Sequence, residues 1–227
     1  MSTKVKKSNA EKRKEKASVA LESSKHMFDT YYRSVYGERW TNLSEALMKP
    51  MSHCAMWNIF ASAVAEEDHT CRKVRDSFLQ LNAVCLHISE RLECFFLPHN
   101  GVDSHNFPPP PRCEESGRFC YYPLDAASLL PVIALDIQEG EHVLDMCAAP
   151  GGKSLALAMR LNLWPRAFGR LHCNDVSTDR RRRLRQVLDS YLPASTVEEC
   201  VRVTGYDFTS WRVGEADLYD KGKKSTR

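Results

Sequence analysis

Residues 143–154 read VLDMCAAPGGKS and join an apolar run, a turn of small residues and the start of a helix. Small residues let the backbone approach a ligand closely, and the free amides at a helix N-terminus favour anionic or carboxylate groups. The apolar run at 142–145 predicts a short buried strand, and Gly151 and Gly152 open a helix that continues over 154–161. We therefore predict a ligand-binding turn at the carboxyl end of this strand.

Strands and helices alternate on both sides of this turn. Downstream, residues 171–174 predict a second strand, Ser177 caps an amphipathic helix, and residues 201–203 predict a third strand. Upstream, Asp125 predicts the N-cap of a helix that runs to Leu135. Such alternation indicates a parallel α/β sheet of the nucleotide-binding kind.

The rest of the chain divides by composition. We predict a basic tail over 1–23, a mostly helical N-terminal region over 24–107, a Pro-rich linker over 108–120, a cofactor-binding unit over 121–220 and a divergent polar tail over 221–227. Within the helical region, apolar spacing predicts helices at 24–37 and 40–47.

The charge distribution does not suggest a broad nucleic-acid surface. The net charge is +3, but residues 1–16 carry +5 and residues 221–227 carry +4, so the part between them is mildly acidic. No apolar run reaches the roughly eighteen residues of a membrane helix, so we expect a soluble protein with no membrane contact.

The nine cysteines form no Cys-x-x-Cys pair. We therefore expect neither a disulfide framework nor a zinc ribbon, but reduced thiols in an intracellular compartment and no metal. The basic N-terminus is Lys-rich and includes Glu11 and Glu15, so the residues leave open whether it is a mitochondrial presequence.

Two ligand classes compete for the glycine turn. Gly152-Lys153-Ser154 matches the end of a phosphate loop, although Cys147 occupies the place of the leading glycine. An adenosyl cofactor instead needs a carboxylate at the tip of the second strand, where Asp175 lies, while Asp207 after the third strand is placed to reach an adenine amine. Together with Asp145, these carboxylates are expected to converge on one crevice. A simple turn role for Asp175 remains open.

The segments 124–131 and 143–153, with Asn174, Asp175 and Arg180, resemble the Sun-domain family of S-adenosylmethionine-dependent RNA cytosine-5 methyltransferases. The sequence CAAPGGK at 147–153 is highly specific for that family. Residues 28–40 and 201–207 are similar to its mitochondrial, ribosomal-RNA branch. The resemblance implies an α/β fold with an incomplete Rossmann-like class I methyltransferase sheet, preceded by a mostly helical N-terminal region.

The resemblance also implies a cofactor site. The residues that would line the methionine end of S-adenosyl-L-methionine are Cys147, Ala148, Ala149, Pro150, Gly151, Gly152 and Lys153. Asp175 would hold the ribose, and Arg180 and Asp207 would complete the pocket. Cys147 would be a packing residue and not a nucleophile. For Arg180, a solvated charge in the run 180–183 is the alternative.

Catalysis in the family uses two cysteines, one in an Asp-Ala-Pro-Cys motif after the fourth strand and one in a Thr-Cys motif after the fifth, and this sequence reaches neither position. We therefore expect no catalytic residue and no activity in this chain, and an unpaired edge on the first strand where the polar tail replaces the fourth. The implied function is 5-methylcytosine formation in mitochondrial ribosomal RNA in the matrix. The alternatives are a mitochondrial transfer-RNA enzyme and a non-catalytic binding module. A helical-repeat protein of the mitochondrial transcription-termination-factor type is the implied protein partner.

Overall fold

The computed structural model describes residues 9–49, 53–62, 68–97, 107–210 and 219–223. The chain forms two compact units, residues 1–50 and residues 51–227. Among the described helices, none combines the length and the apolar character that crossing a bilayer requires.

The first unit is a pair of helices, α1 (Asn9–Tyr36) and α2 (Arg39–Leu47), which confirms the two predicted helices. The turn between them contains Gly37 with φ +58°. Trp40 is buried against the rings of Tyr32 and Tyr36, and its Nε1 donates to Asp29 Oδ1 at 2.6 Å. Helix α1 begins well before residue 24, so residues 9–23 of the predicted basic tail are helical.

The second unit begins with an antiparallel sheet. Its strands are β1 (His53–Trp57), β2 (Val84–Ser89), β3 (Leu92–Phe96) and β4 (Tyr121–Asp125), in the order β2-β3-β1-β4. Two helices lie between β1 and β2 in the chain, α3 (Ile59–Ser62) and α4 (His69–Gln80). The predicted mostly helical region over 24–107 is therefore wrong for residues 53–57, 84–89 and 92–96. Strand β1 pairs with β3 and β4, which are distant in sequence, whereas β2 and β3 form a local hairpin whose apolar run does not by itself distinguish strands from a helix.

The predicted linker at 108–120 does not separate two domains. Strand β1 pairs with β4, so one sheet takes strands from both sides of the Pro-rich segment. Phe107, Cys113 and Cys120 are buried, and the segment folds back on itself through a bridge between Arg112 and Phe119. The prolines end regular structure as predicted, but the chain around them packs into the core of the second unit.

The second sheet is parallel, as predicted. Strands β5 (His142–Asp145), β6 (Arg170–Asn174) and β7 (Val201–Thr204) lie side by side, with β6 in the middle of the three. Between β4 and β5, a 3-10 turn (Ala126–Leu129) leads into α5 (Leu130–Ala134), and Asp125 Oδ1 accepts from Ala127 N as the predicted cap. Three helices complete the unit: α6 (Gly152–Arg160), α7 (Thr178–Tyr191) and α8 (Ala194–Cys200).

The free edge expected on β5 is wrong, because a short strand β8 (Lys221–Lys223) pairs with it in parallel. Asp220 prepares this pairing: its backbone N donates to His142 O at 2.9 Å, and its Oδ2 accepts from His142 N at 2.8 Å. A polar sequence forms the strand because the ladder uses only backbone groups, which every residue except proline supplies in full.

Candidate functional site

The turn that follows β5 is packed so closely that two of its positions require glycine. Gly151 precedes α6 with φ +120°, and a Cβ there would lie 3.0 Å from Val187 Cγ1 of α7. At Gly152, a Cβ would lie 2.7 Å from Tyr122 Cε1 of β4. The turn is thus held between α7 and β4, and a side chain at either glycine would push it away from one of them.

Asn174, at the end of β6, ties together the backbones that follow three neighbouring strands. Its Nδ2 donates to Met146 O at 3.2 Å and to Tyr206 O at 3.0 Å. Its Oδ1 accepts from Tyr206 N at 2.7 Å and from Thr204 Oγ1 at 2.9 Å. The side chain is buried and its amide is fully used. The sequence placed Asn174 at the strand end, but no local signal indicated this bridging role.

A cavity of about 530 Å³, here called the strand-end cavity, opens at the carboxyl ends of β5, β6 and β7. Its lining residues are Met146, Cys147, Asn174, Asp175, Val176, Arg180, Tyr206, Asp207, Phe208 and Thr209. Its volume falls within the range of small-molecule sites. The structure brings Asp175, Arg180 and Asp207 together in this lining, and their binding role stays a prediction.

Asp175 is the most buried carboxylate in this cavity, with 3% of its surface exposed. Its Oδ1 accepts from Ser177 N at 3.1 Å, and its Oδ2 pairs with Arg180 Nη2 at 3.2 Å. The same Arg180 nitrogen donates to Ala149 O at 2.7 Å. Asp175 therefore makes a turn contact and also faces the cavity, and Arg180, whose side chain is 54% exposed, connects it to the glycine turn.

Asp207 shapes the far wall of the strand-end cavity. Its Oδ1 accepts from Thr209 N at 2.9 Å and from Thr209 Oγ1 at 2.7 Å, which fixes the loop after β7. Two carboxylates on one cavity favour ligand groups that donate hydrogen bonds, such as hydroxyls and amines. They disfavour a polyphosphate, which carries the same sign of charge.

Asp145 does not line the strand-end cavity with Asp175 and Asp207. Its carboxylate is buried, with Ser154 Oγ donating to Oδ2 at 2.9 Å, and it is absent from the linings of both cavities described here. The expected convergence of three carboxylates on one crevice is thus wrong for this residue. Asp145 lies at the strand end as predicted, but its side chain turns toward the first turn of α6.

A second cavity of about 270 Å³, here called the loop cavity, lies between the glycine turn and β4. The predicted residues that line it are Cys147, Ala148, Ala149, Pro150, Gly152 and Lys153, joined by Tyr122, Pro123, Leu124, Asp125 and Ser128. Lys153 Nζ donates to Ser128 Oγ at 3.4 Å. Burial raises the pKa of Tyr122, so its hydroxyl stays protonated near neutral pH. Gly151 lines neither cavity and packs toward α7.

Cys147 lies where the two cavities meet, because it lines both. Its side chain is exposed, so the expected packing role is wrong.

Comparison with known proteins shows similarity to RNA methyltransferases. Residues 132–221 match the family described as 16S rRNA methyltransferase RsmB/F. The chain is 35% identical to mouse 5-cytosine rRNA methyltransferase NSUN4 over 209 residues, covering 86% of this chain and 53% of that protein. It is 36% identical over 200 residues to zebrafish mitochondrial tRNA (cytosine(34)-C(5))-methyltransferase, covering 86% of this chain and 51% of that protein.

Among solved structures, a methyltransferase homologue from Pyrococcus horikoshii matches with a TM-score of 0.49 and 23% identity, over 79% of this chain and 52% of that one. The chain spans about half the length of the curated relatives named above.

Proposed function

Because residues 132–221 belong to the RsmB/F family of RNA methyltransferases, we propose that this chain is the cofactor-binding part of an RNA cytosine-5 methyltransferase that uses S-adenosyl-L-methionine. The observation that carries the proposal is the pair of carboxylates, Asp175 and Asp207, in the strand-end cavity next to the glycine turn. In parallel α/β sheets, this edge is where adenosine-containing cofactors bind.

In this proposal the adenosine of the cofactor would bind in the strand-end cavity and its methionine end would extend toward the loop cavity. Asp175 would accept hydrogen bonds from the ribose hydroxyls, and Asp207 would accept one from the adenine amine. The glycine turn, from Cys147 to Lys153, would hold the methionine end toward the loop cavity. Arg180 links the Asp175 carboxylate to the glycine turn, since one of its nitrogens contacts both Asp175 and Ala149 O.

The bound cofactor would supply an activated methyl group, and this chain's residues would orient that group and exclude water from it. We assign no catalytic residue here. Of the nine cysteines, seven are buried and Cys85 is half-buried in β2, outside both cavities. The exposed Cys147 belongs to the glycine turn, where the resemblance gives it no covalent role.

The substrate we propose is mitochondrial ribosomal RNA. The rRNA and mitochondrial tRNA relatives match over the same share of the chain and with nearly equal identity, so transfer RNA is the second candidate. We also propose residence in the mitochondrial matrix and association with a helical-repeat protein of the transcription-termination-factor type. Co-purification from mitochondria would test that association, and recovery of the chain without such a protein would contradict it.

Bisulfite sequencing of mitochondrial RNA after deletion of the gene tests the proposed function. We expect 5-methylcytosine to disappear from ribosomal RNA and to persist in transfer RNA. Loss confined to transfer RNA would favour the second candidate. Unchanged methylation in both RNAs would contradict the enzyme proposal and favour a non-catalytic binding module.

A further inference from the structure

Four side chains that commonly bind metals lie together in the second unit, away from both cavities: Asp68, Cys71, Cys113 and Cys120. Asp68 is the N-cap of α4, and Cys71 lies in the first turn of that helix. Cys113 and Cys120 come from the folded-back segment at 111–120, in which Cys113 N donates to Arg118 O and Cys120 N donates to Pro111 O. Two segments distant in sequence thus contribute two side chains each.

The distances between these side chains are close to those of a tetrahedral metal site. Cys71 Sγ lies 3.6 Å from Cys120 Sγ, and Cys113 Sγ lies 3.2 Å from Asp68 Oδ2. The ligand atoms of Asp68, Cys71 and Cys113 all lie within 4.8 Å of one another. A zinc ion with bonds of about 2.0 Å to oxygen and 2.3 Å to sulfur holds its ligand atoms roughly 3.5 to 3.8 Å apart. Cys120 is linked to this group through Cys71, so its thiol would turn toward Asp68 and Cys113 for all four side chains to reach one ion.

All four side chains are buried, and they form one hydrogen-bonded cluster in which Asp68 accepts from Cys113 Sγ and Cys71 Sγ contacts Cys120 Sγ. Their surroundings are apolar, with Trp57, Phe78 and Tyr121 in the same cluster. Backbone groups already point at the candidate ligands. Ser116 N donates to Cys113 Sγ at 3.4 Å, and Cys71 N donates to Asp68 Oδ1 at 2.8 Å. Hydrogen bonds of this kind orient and stabilise metal ligands.

We propose that Asp68, Cys71, Cys113 and Cys120 bind one zinc ion in a closed, structural site. On binding, each of the three thiols would release its proton to solvent, and the ion would be held by three thiolates and one carboxylate. The site is independent of the methyltransferase proposal. Because Cys120 directly precedes β4, it would anchor the strand that forms one wall of the loop cavity. The sequence predicted no metal because the four ligands do not form a contiguous motif.

The chain offers two internal controls. Cys54 and Cys94 are a buried cysteine pair on β1 and β3 that belongs to neither metal-ligating group found among the described residues. Cys85, His87 and Glu93 form the other such group, but Glu93 already binds Arg75 through both carboxylate oxygens, at 2.9 Å and 2.6 Å.

The test is metal analysis of the full chain, purified after growth with zinc and freed of loosely bound metal by gel filtration. We expect about one zinc per chain, the stoichiometry of a closed four-ligand site. We expect Cys113→Ser and Asp68→Asn to lower the zinc content several-fold, and Cys54→Ser and Cys85→Ser to leave it unchanged. Cobalt added to the metal-free chain should give the visible bands of tetrahedral coordination and a thiolate charge-transfer band.

Thiol labelling of the unaltered chain provides a measurement that does not depend on variants. We expect a chelator to increase alkylation of Cys71, Cys113 and Cys120 together, while Cys54 and Cys94 do not change. A metal-free purified chain with no cobalt spectrum would overturn the proposal. A Cys71–Cys120 disulfide in the freshly purified chain, or zinc lost only in Cys85→Ser, would also overturn it.

Discussion

Asp175 combines a structural contact at the start of a helix with a position on the wall of the strand-end cavity. One oxygen accepts from Ser177 N at the start of α7, and the other faces Arg180 and the strand-end cavity. The sequence left a turn role and a ribose-binding role open for this residue, and the geometry accommodates both.

Exchanging the Asp175 carboxylate for an amide separates these roles. Asp175→Asn keeps an oxygen for Ser177 N but removes the charge that would bind two ribose hydroxyls. We expect the Kd for S-adenosylhomocysteine, measured by calorimetry, to rise at least about tenfold, since hydrogen bonds to a charged group contribute roughly 1.5 to 3 kcal/mol. Asp179→Asn is the matched control, because Asp179 is exposed in the first turn of α7, the helix that follows Asp175, and pairs with Arg182. Equal affinities for both variants would contradict the ribose assignment.

Asn174 gives a second test at the residue scale, this time of stability. Asn174→Asp removes both N–H donors and turns a carboxylate toward Met146 O and Tyr206 O. We expect the free energy of unfolding to fall by about 2 to 4 kcal/mol in urea titration, because two buried carbonyls lose their partner. Asn82→Asp, in an exposed turn, should change it by less than about 0.5 kcal/mol. Similar losses for the two variants would show that the bridging contacts contribute little.

The sequence patterns predicted where residues lie along the strands better than which way their side chains face. Asp145 and Asp175 both stand at strand ends as predicted, yet only Asp175 faces the strand-end cavity. Ser154 draws Asp145 inward, and a contact between a strand and the next helix is not visible in a strand pattern alone.

At the scale of elements, the glycine turn depends on close packing against α7 and β4. Gly151→Ala would combine an unfavourable φ with a Cβ 3.0 Å from Val187, whereas Gly140→Ala has a φ of +83° and open space around its Cβ. We expect losses of about 3 kcal/mol and about 1 kcal/mol, respectively, in the free energy of unfolding. The difference between the two losses measures the cost of crowding the new Cβ against Val187. Equal losses in urea titration would contradict this explanation.

An ion pair joins α4 to β3 and makes stability depend on pH. Burial acts to raise the pKa of Glu93, but the Arg75 guanidinium outweighs it, so the pKa lies below the ordinary value of 4.5. A lowered pKa stabilises the fold above the unfolded-state value, and this contribution disappears as the pH falls through the folded-state value.

We therefore expect Glu93→Gln to reduce the free energy of unfolding by about 1 kcal/mol at pH 7, a modest amount because Arg75 is 42% exposed on its side chain. The difference from the unaltered chain should shrink as the pH falls below 4.5. Glu139→Gln, at the exposed pair with Arg91, should have little effect at either pH. A constant difference across this range, in urea titrations at several pH values, would show that the charge is not responsible.

Elements were predictable where their signals were local. The glycine turn, the caps at Asp125 and Ser177 and the strands of the parallel sheet stand where the sequence placed them. Strand β1 was missed because its partners lie far along the chain, and the β2–β3 hairpin was missed because a short apolar run does not distinguish strands from a helix. Their fold is decided by tertiary contacts.

At the scale of the whole molecule, the central claim is that the second unit folds around a site for S-adenosylmethionine. The parallel sheet, the two carboxylates and the glycine turn support this assignment together, because none of them specifies the cofactor alone. A ligand that binds only the folded chain raises its thermal midpoint by an amount that grows with the logarithm of the ligand concentration above its Kd, so binding can be measured without any assay of RNA methylation.

The most direct measurement is the thermal midpoint of the purified chain with and without S-adenosylhomocysteine. At about a hundred times its Kd, the ligand should stabilise the fold by roughly 2.7 kcal/mol and raise the midpoint by about 5 to 10 °C. ATP with magnesium should give no comparable shift, because the two carboxylates disfavour its phosphates. An unchanged midpoint with S-adenosylhomocysteine, or an equal rise with ATP, would contradict the cofactor assignment.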